Sequence, residues 1–311
     1  IGTHKTGTTA LQAHLAMNRP MLAARGVFYP RPLRAPGVLG ASHRELRDAA
    51  LGIAGDFDVL LERYARLMAR RRLSILSCES WSSFEPSLAA GLAPLAEAFD
   101  VRVVVFLRRA DHFLESMYRQ HIGAQSRKMG EFPDYIRGKA AAVVDRRAEM
   151  LGWWADAFGD VVVIPYRPAA PGFDVFRLFF EAAGIPRFGV PLWPKALFRG
   201  NASLSREQAE LVRRLNRQGH RLSHTQVGHI VGMMGRGRTT YLGEESRAAL
   251  LARGEADMAE IARRFLPEGP GDVLGAAPER YRAEAEDWDY DLPRPLVRKV
   301  RARIGLPLGK T

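Results

Sequence analysis

The chain has 311 residues and a mass of 34.6 kDa, enough for a large core in one α/β domain or a domain with an appendage. Its 46 Lys and Arg against 34 Asp and Glu give a formal charge of +12, which points to anionic partners: nucleic acid, acidic glycans, phospholipid surfaces or a polyanionic cosubstrate. Apolar runs such as Val103–Leu107 are too short to cross a bilayer, no secretory signal is visible, and the single cysteine, Cys78, excludes an intrachain disulfide, so a reducing, cytoplasmic setting is expected.

The first nine residues, Ile1-Gly2-Thr3-His4-Lys5-Thr6-Gly7-Thr8-Thr9, read as the end of a strand followed by an anion-cradling loop. Residues upstream of Ile1 are accordingly expected. The pattern G-x-x-x-x-G followed by hydroxyl residues is that of a P-loop, whose backbone N–H groups and following helix N-terminus surround an anion. Nucleotide hydrolysis requires Lys directly after the second glycine, then Ser or Thr for Mg²⁺. Thr8 stands in that lysine's place and Lys5 lies inside the loop.

Thr9–Met17 is predicted helical, Met21–Arg25 a helical turn, Gly26–Pro30 a strand and Arg31–Gly40 a loop. Ser42 and Glu45 have capping-box spacing for a helix reaching Ala54, and Asp56–Arg72 has apolar residues at helical spacing. Leu73–Cys78, Val101–Leu107 and Val161–Ile164 read as buried parallel strands. Between and after them, helices are predicted over Pro86–Phe99, Asp111–Arg127, Asp134–Val144, Arg147–Phe158 and Phe173–Gly184. The alternation predicts an α/β fold: an open, P-loop-like parallel sheet flanked by helices. Beyond residue 198 only helices are predicted, over Ser203–Arg217, Glu244–Phe265 and Pro295–Ile304. The expected organisation is one domain, with an α/β core over 1–197, a helical part over 198–290 and a basic tail over 291–311.

Three constellations carry candidate chemistry. The loop would bind an anion through Lys5, the Thr6–Thr9 backbone and the Thr8 and Thr9 hydroxyls. Arg108 leaves a strand at its carboxyl end, where open α/β sheets bind ligands, and Ser116 follows eight residues later on the next helix, so the two are candidates to hold one phosphate. Glu79, in Ser77-Cys78-Glu79-Ser80-Trp81, sits at another strand's carboxyl end as a candidate general base, with His4 and His43 as the alternatives.

Together these pieces resemble the sulfotransferases that use 3′-phosphoadenosine 5′-phosphosulfate. His4–Leu11 is similar to that family's 5′-phosphosulfate loop, and Val103–Tyr118 to its 3′-phosphate motif. Leu73–Glu79 falls where the family places its catalytic base. The resemblance implies 3′-phosphoadenosine 5′-phosphosulfate as donor and no metal, with Lys5 on the bridging oxygen and Glu79 as base. His4, Lys5, Thr6, Gly7, Thr8 and Thr9 would then lie around the 5′-phosphosulfate, and Arg108 and Ser116 on the 3′-phosphate. The pattern is closest to glycan-modifying and bacterial members, although the family's proline two residues after the arginine is replaced by Ala110.

The acceptor implied is a glycan or another small hydroxylated molecule. Arg31, Arg34, Arg119, His121, Arg127 and Lys128 are candidates for its entrance, and Trp81, Trp153 and Trp154 either stack on sugar or pack in the core. Arg236 and Arg238 are candidates for a further phosphate contact. The tail helix either lies on an anionic membrane or packs. A nucleotide kinase and a non-catalytic polyanion-binding protein are the competing classes; no nucleic-acid motif is apparent.

Overall fold

The computed structural model describes residues 6–33, 41–123, 130–138, 144–168, 170–185, 204–235, 237, 240–266 and 293–306. They fall into two compact units. The first is built from Ile1–Arg109, Arg146–Gly200 and Ala256–Ala276, the second from Ala110–Asp145, Asn201–Glu255 and Ala277–Thr311.

In the first unit, α1 (Thr8–Met17) and α2 (Arg19–Ala23) lead into the short strand β1 (Val27–Phe28). Helices α3 (Arg44–Ala50) and α4 (Phe57–Met68) precede β2 (Leu73–Ser74), and α5 (Pro86–Leu92) and α6 (Leu95–Ala98) precede β3 (Arg102–Leu107). The expected single helix over Pro86–Phe99 is two pieces, because Pro94 has no N–H to continue the ladder. All four described strands run parallel in two ladders, β1 with β2, and β3 with β4 (Asp160–Pro165). The α/β character is therefore present, although the described strands form two separate two-stranded ladders.

Helix α4 shows how local sequence sets an element. Asp56 caps it by accepting from the Val59 amide (3.1 Å), and Leu60, Leu61, Tyr64 and Met68 fall on one buried face. The predicted capping box at Ser42 does not form. His43 is the N-cap of α3, and the Glu45 carboxylate instead accepts from the Leu33 amide (2.9 Å) and the Tyr64 hydroxyl. A buried carboxylate with two donors from elsewhere in the fold is better satisfied there than at a helix start open to water.

Strand β3 is covered on both faces, as a buried parallel strand requires. Val103, Val105 and Leu107 pack with α4, α5, α9 (Arg147–Phe158) and Ile261 of α14 (Glu255–Phe265). Val104 and Phe106 face the other way, into a core with α1, β1 and Phe180 of α10 (Val175–Ala182). Trp81 and Trp154 stack in the first of these cores, 6.5 Å between ring centroids, so the packed alternative holds for both.

The second unit is helical. Helices α7 (Ala110–Gly123) and α8 (Phe132–Arg137) pack with α11 (Arg206–Arg217), α12 (His224–Met234), α13 (Glu244–Arg253) and α15 (Arg294–Arg303). Gly254 divides the predicted helix Glu244–Phe265 at the point where the chain leaves this unit. Helix α12 was not predicted, although Ser223 and Gln226 form a complete capping box at its start. Val300 and Ile304 of the tail helix region are buried in this unit's core, which is the packed arrangement of that helix. Among the described residues no helix is long and apolar enough to cross a membrane.

Candidate functional site

The candidate site lies in the first unit, at the carboxyl ends of its strands. Gly7 is the N-cap of α1 and has a left-handed backbone, φ +75°. A Cβ at Gly7 would stand 3.5 Å from the Tyr166 ring, so the ring packs against the turn. The first intrahelical bond runs from the Leu11 amide to the Gly7 carbonyl (3.1 Å). The amides of Thr8, Thr9 and Ala10 precede it and form the donor end of the helix, where the helix dipole favours an anion.

Thr6 and Thr8 are buried and Thr9 is exposed. The Thr8 hydroxyl donates to Glu79 Oε2 at 3.2 Å. It therefore orients the carboxylate, rather than acting only as the anion donor expected of it. Glu79 opens a short 3₁₀ turn over Glu79–Ser82, and regular pairing of β2 has ended by Ser74, earlier than the predicted Cys78. The segment between is held in other ways. The Ile75 amide bonds the Phe28 carbonyl (2.9 Å), and the Gln12 side chain of α1 donates to the Ser77 hydroxyl (3.1 Å). Helix α1 and the Glu79 segment are thus tied together twice, by Thr8–Glu79 and by Gln12–Ser77.

His43, one of the alternative bases, is wholly buried and occupied by backbone. Nδ1 lies 3.0 Å from the Ser77 amide and 3.2 Å from the Ser77 carbonyl, and Nε2 faces the Pro30 carbonyl at 3.2 Å, so both ring nitrogens are occupied by backbone. Burial lowers its pKa to about 4, against the opposing effects of the contact with the Ser77 carbonyl and of Glu45. A neutral imidazole held in this way ties the Ser77 backbone to that of Pro30. Cys78 is likewise buried, and desolvation pushes its thiol up from the ordinary value.

Arg108 follows the last residue of β3. Its guanidinium lies 5.7 Å from the Tyr166 ring centroid, and its carbonyl accepts from Arg147 Nη1 (3.1 Å). Tyr166 follows β4, continues the ladder through its amide to the Leu107 carbonyl (2.7 Å), and meets Phe173 edge-on. Burial raises the Tyr166 phenol from its ordinary value, and the Arg108 charge opposes that rise. Sequence reasoning did not single out Tyr166. The available signal was its position, at the carboxyl end of a buried strand, which is the criterion that selected Arg108 and Glu79.

Thr8 with Glu79 and Gly7 with Tyr166 and Arg108 are therefore brought together. Ser116 is buried on α7 and belongs to the second unit. Arg119 is buried in that unit too. His4, Lys5, Arg34, Arg127, Lys128, Arg236 and Arg238 lie outside the described residues. Among the described residues no cluster of His, Cys, Asp and Glu has the arrangement of a metal centre. No family model, curated protein or solved structure matches this chain.

Proposed function

We propose that the chain is a sulfotransferase that moves a sulfuryl group from 3′-phosphoadenosine 5′-phosphosulfate to a hydroxyl or amine, on a carbohydrate or glycolipid acceptor. The observation that carries this reading is the Thr8–Glu79 hydrogen bond, because it puts a carboxylate beside the donor end of α1. One site then has a place for the anion and a base for the acceptor.

In the transfer, the S–O bond to the donor's phosphate breaks as a bond forms from the acceptor oxygen or nitrogen to sulfur. The bond's electron pair leaves on the phosphate, and the acceptor's proton passes to Glu79. The amides of Thr8, Thr9 and Ala10 stabilise the leaving phosphate as its charge grows, and one such donor contributes about 3 kcal/mol in comparable sites. By the family resemblance Lys5 supplies the positive charge at the bridging oxygen, and His4 and Thr6 complete the loop. Arg108, braced on Tyr166, takes the donor's 3′-phosphate, the group that distinguishes this donor from ATP. Ser116 is assigned to the same phosphate by the resemblance alone.

The test is calorimetric titration of 3′-phosphoadenosine 5′-phosphate, ADP and ATP, each with and without Mg²⁺. The expected result is metal-independent binding that requires the 3′-phosphate and weakens in Arg108→Ala. Preference for ATP with Mg²⁺ would replace the proposal with a kinase. Absence of nucleotide binding, with salt-dependent retention on heparin, would replace it with a polyanion-binding protein.

A further inference from the structure

Two stretches of the second unit, residues 211–243 and 292–311, contain no Asp or Glu, in a chain where 34 of 311 residues are acids. Their described helices pack together. Ile230 of α12 shares a core with Val300 of α15 and Ile304 just beyond it, and the Gln226 side chain donates to the Ile304 carbonyl (2.8 Å). Arg301 of α15 donates to Gln218 Oε1 (2.9 Å), one residue past the end of α11. The apolar side of α15 is spent in that core, which leaves Arg294, Arg298, Lys299 and Arg303 exposed. Arg221 is exposed as well, and so is Arg217, 3.7 Å from Glu131. Apart from Arg217, none of these cations makes a hydrogen bond or ion pair with a described residue. A helix face that merely meets water carries both signs, as the Arg66–Glu62 and Arg263–Glu260 pairs of the first unit do. This face carries one sign only, at a cost in self-repulsion that an anionic partner removes.

We propose that this face, formed by α15, the end of α11 and the lead-in to α12, binds a linear anionic polysaccharide. Its guanidinium groups would lie on the carboxylates or sulfates that recur along the polymer. Arginine dominates the face, and its planar fork of donors matches such groups two bonds at a time. Arg294 and Arg298 are one helical turn apart, and α15 is about 15 Å long, so its cations form a row that a charge-repeating chain can follow. Composition argues against the other polyanions. Residues 211–240 and 292–311 contain no Phe, Trp or Tyr, the side chains on which single-stranded nucleic acid stacks. A helix seated in a bilayer interface inserts an apolar side, and that of α15 is already packed. Met233 is the only large apolar side chain exposed in this unit among the described residues. The face uses none of the cations expected to line an acceptor entrance.

The proposal goes beyond the sulfotransferase reading, holds whatever reaction the first unit performs, and is tested without nucleotide. Binding of heparin, polygalacturonate and neutral dextran is measured by calorimetry at physiological salt, on the full chain. Both anionic polymers are expected to bind and dextran is not. The variant Arg294→Gln, Arg298→Gln, Lys299→Gln, Arg303→Gln should weaken both at least tenfold, since each cation lost forfeits the release of a counterion from the polymer. Arg63→Gln, Arg66→Gln, Arg70→Gln, Arg71→Gln removes the same charge from the region of α4 in the first unit and should weaken binding less than twofold. Arg294→Lys, Arg298→Lys, Arg303→Lys keeps the charge and should stay within about threefold, which separates lost cations from a lost fold. Equal weakening in the α4 variant would reduce the effect to net charge and overturn the proposal. So would tighter binding of duplex DNA or of phosphatidylglycerol vesicles that the α15 variant abolishes. Polysaccharide binding that appears only after Glu284, Glu286, Asp287, Asp289 and Asp291 are neutralised to amides would assign the face to the chain's own acidic stretch, and would overturn it too.

Discussion

Thr8 and Glu79, 71 residues apart in the chain, meet through a single 3.2 Å hydrogen bond from the threonine hydroxyl to Oε2. It joins the first residue of α1 to the segment that follows β2, so the orientation of the carboxylate depends on the anion loop's own helix. Glu79→Gln keeps the side chain's shape and its acceptor oxygen for Thr8. Nucleotide affinity should stay within twofold, while turnover falls by about 10²–10⁴-fold, the range for a lost general base. Turnover unchanged in that variant, followed by sulfate transfer to a panel of glycans, would remove Glu79 from the mechanism. Thr8→Val should produce a smaller loss, since it frees the carboxylate without removing it.

Gly7 adopts φ +75°, and a side chain there meets only ordinary contact with Tyr166. The penalty for Gly7→Ala is thus backbone strain, about 1–2 kcal/mol for a residue forced into the left-handed region. Urea denaturation should return the same penalty in the Tyr166→Ala background. A much smaller penalty there would mean that the ring, not the backbone, resists the methyl group.

Acid should act through His43. Its pKa is about 6.5 unfolded and about 4 in the folded protein, so the unfolded state takes up the proton first. The fold keeps this stability above pH 6.5 and loses it progressively as pH falls toward 4. The full loss for a shift of this size is about 3 kcal/mol. Denaturation midpoints between pH 7 and 4 should show the decline, and His43→Gln should flatten it while lowering stability at pH 7. An undiminished slope in that variant would assign the acid sensitivity to other groups.

In the second unit, Arg247 holds two buried carboxylates, Asp111 and Glu115, and Glu115 also accepts from the amides of Tyr241 (2.9 Å) and Leu242 (3.1 Å). Burial raises the Glu115 carboxyl, and Arg247 is the largest influence opposing it. Arg247→Leu would leave both acids without their cation. Such removals cost about 3–5 kcal/mol, which differential scanning calorimetry would register. Arg247→Leu with Asp111→Asn and Glu115→Gln should recover part of the loss.

Much of the fold was legible where one residue type dominates a short span. Strands β3 and β4 are runs of β-branched and aliphatic residues, and α4 and α11 carry both a cap and an apolar stripe. Strand β2 is shorter than its sequence suggests because Leu73, Ile75, Leu76 and Cys78 mark burial, whereas regular pairing stops at Ser74. Helix α12 is weakly marked in the sequence because Gly228 and Gly232 lower its propensity, although its Ser223–Gln226 box is complete. The capping-box spacing at Ser42 and Glu45 misled for the opposite reason. A local pattern was overridden by donors from Leu33 and Tyr64 that only the folded chain supplies. In the site, Glu79 and Arg108 could be selected by their place after strands. The support of Arg108 by Tyr166 could not, because it joins two strand ends 58 residues apart.

The first unit's core includes Ile261, and Asp257 accepts from the Ala148 amide (2.7 Å) and pairs with buried Arg147. On a ribosome, β4 is finished about a hundred residues before that helix is made, an interval of roughly 5–20 s at ordinary synthesis rates. During that interval the strand-bearing half exists as a nascent chain with part of its apolar lining uncovered. Premature termination between residues 166 and 255 should therefore yield a chaperone-dependent fragment rather than a smaller version of the unit.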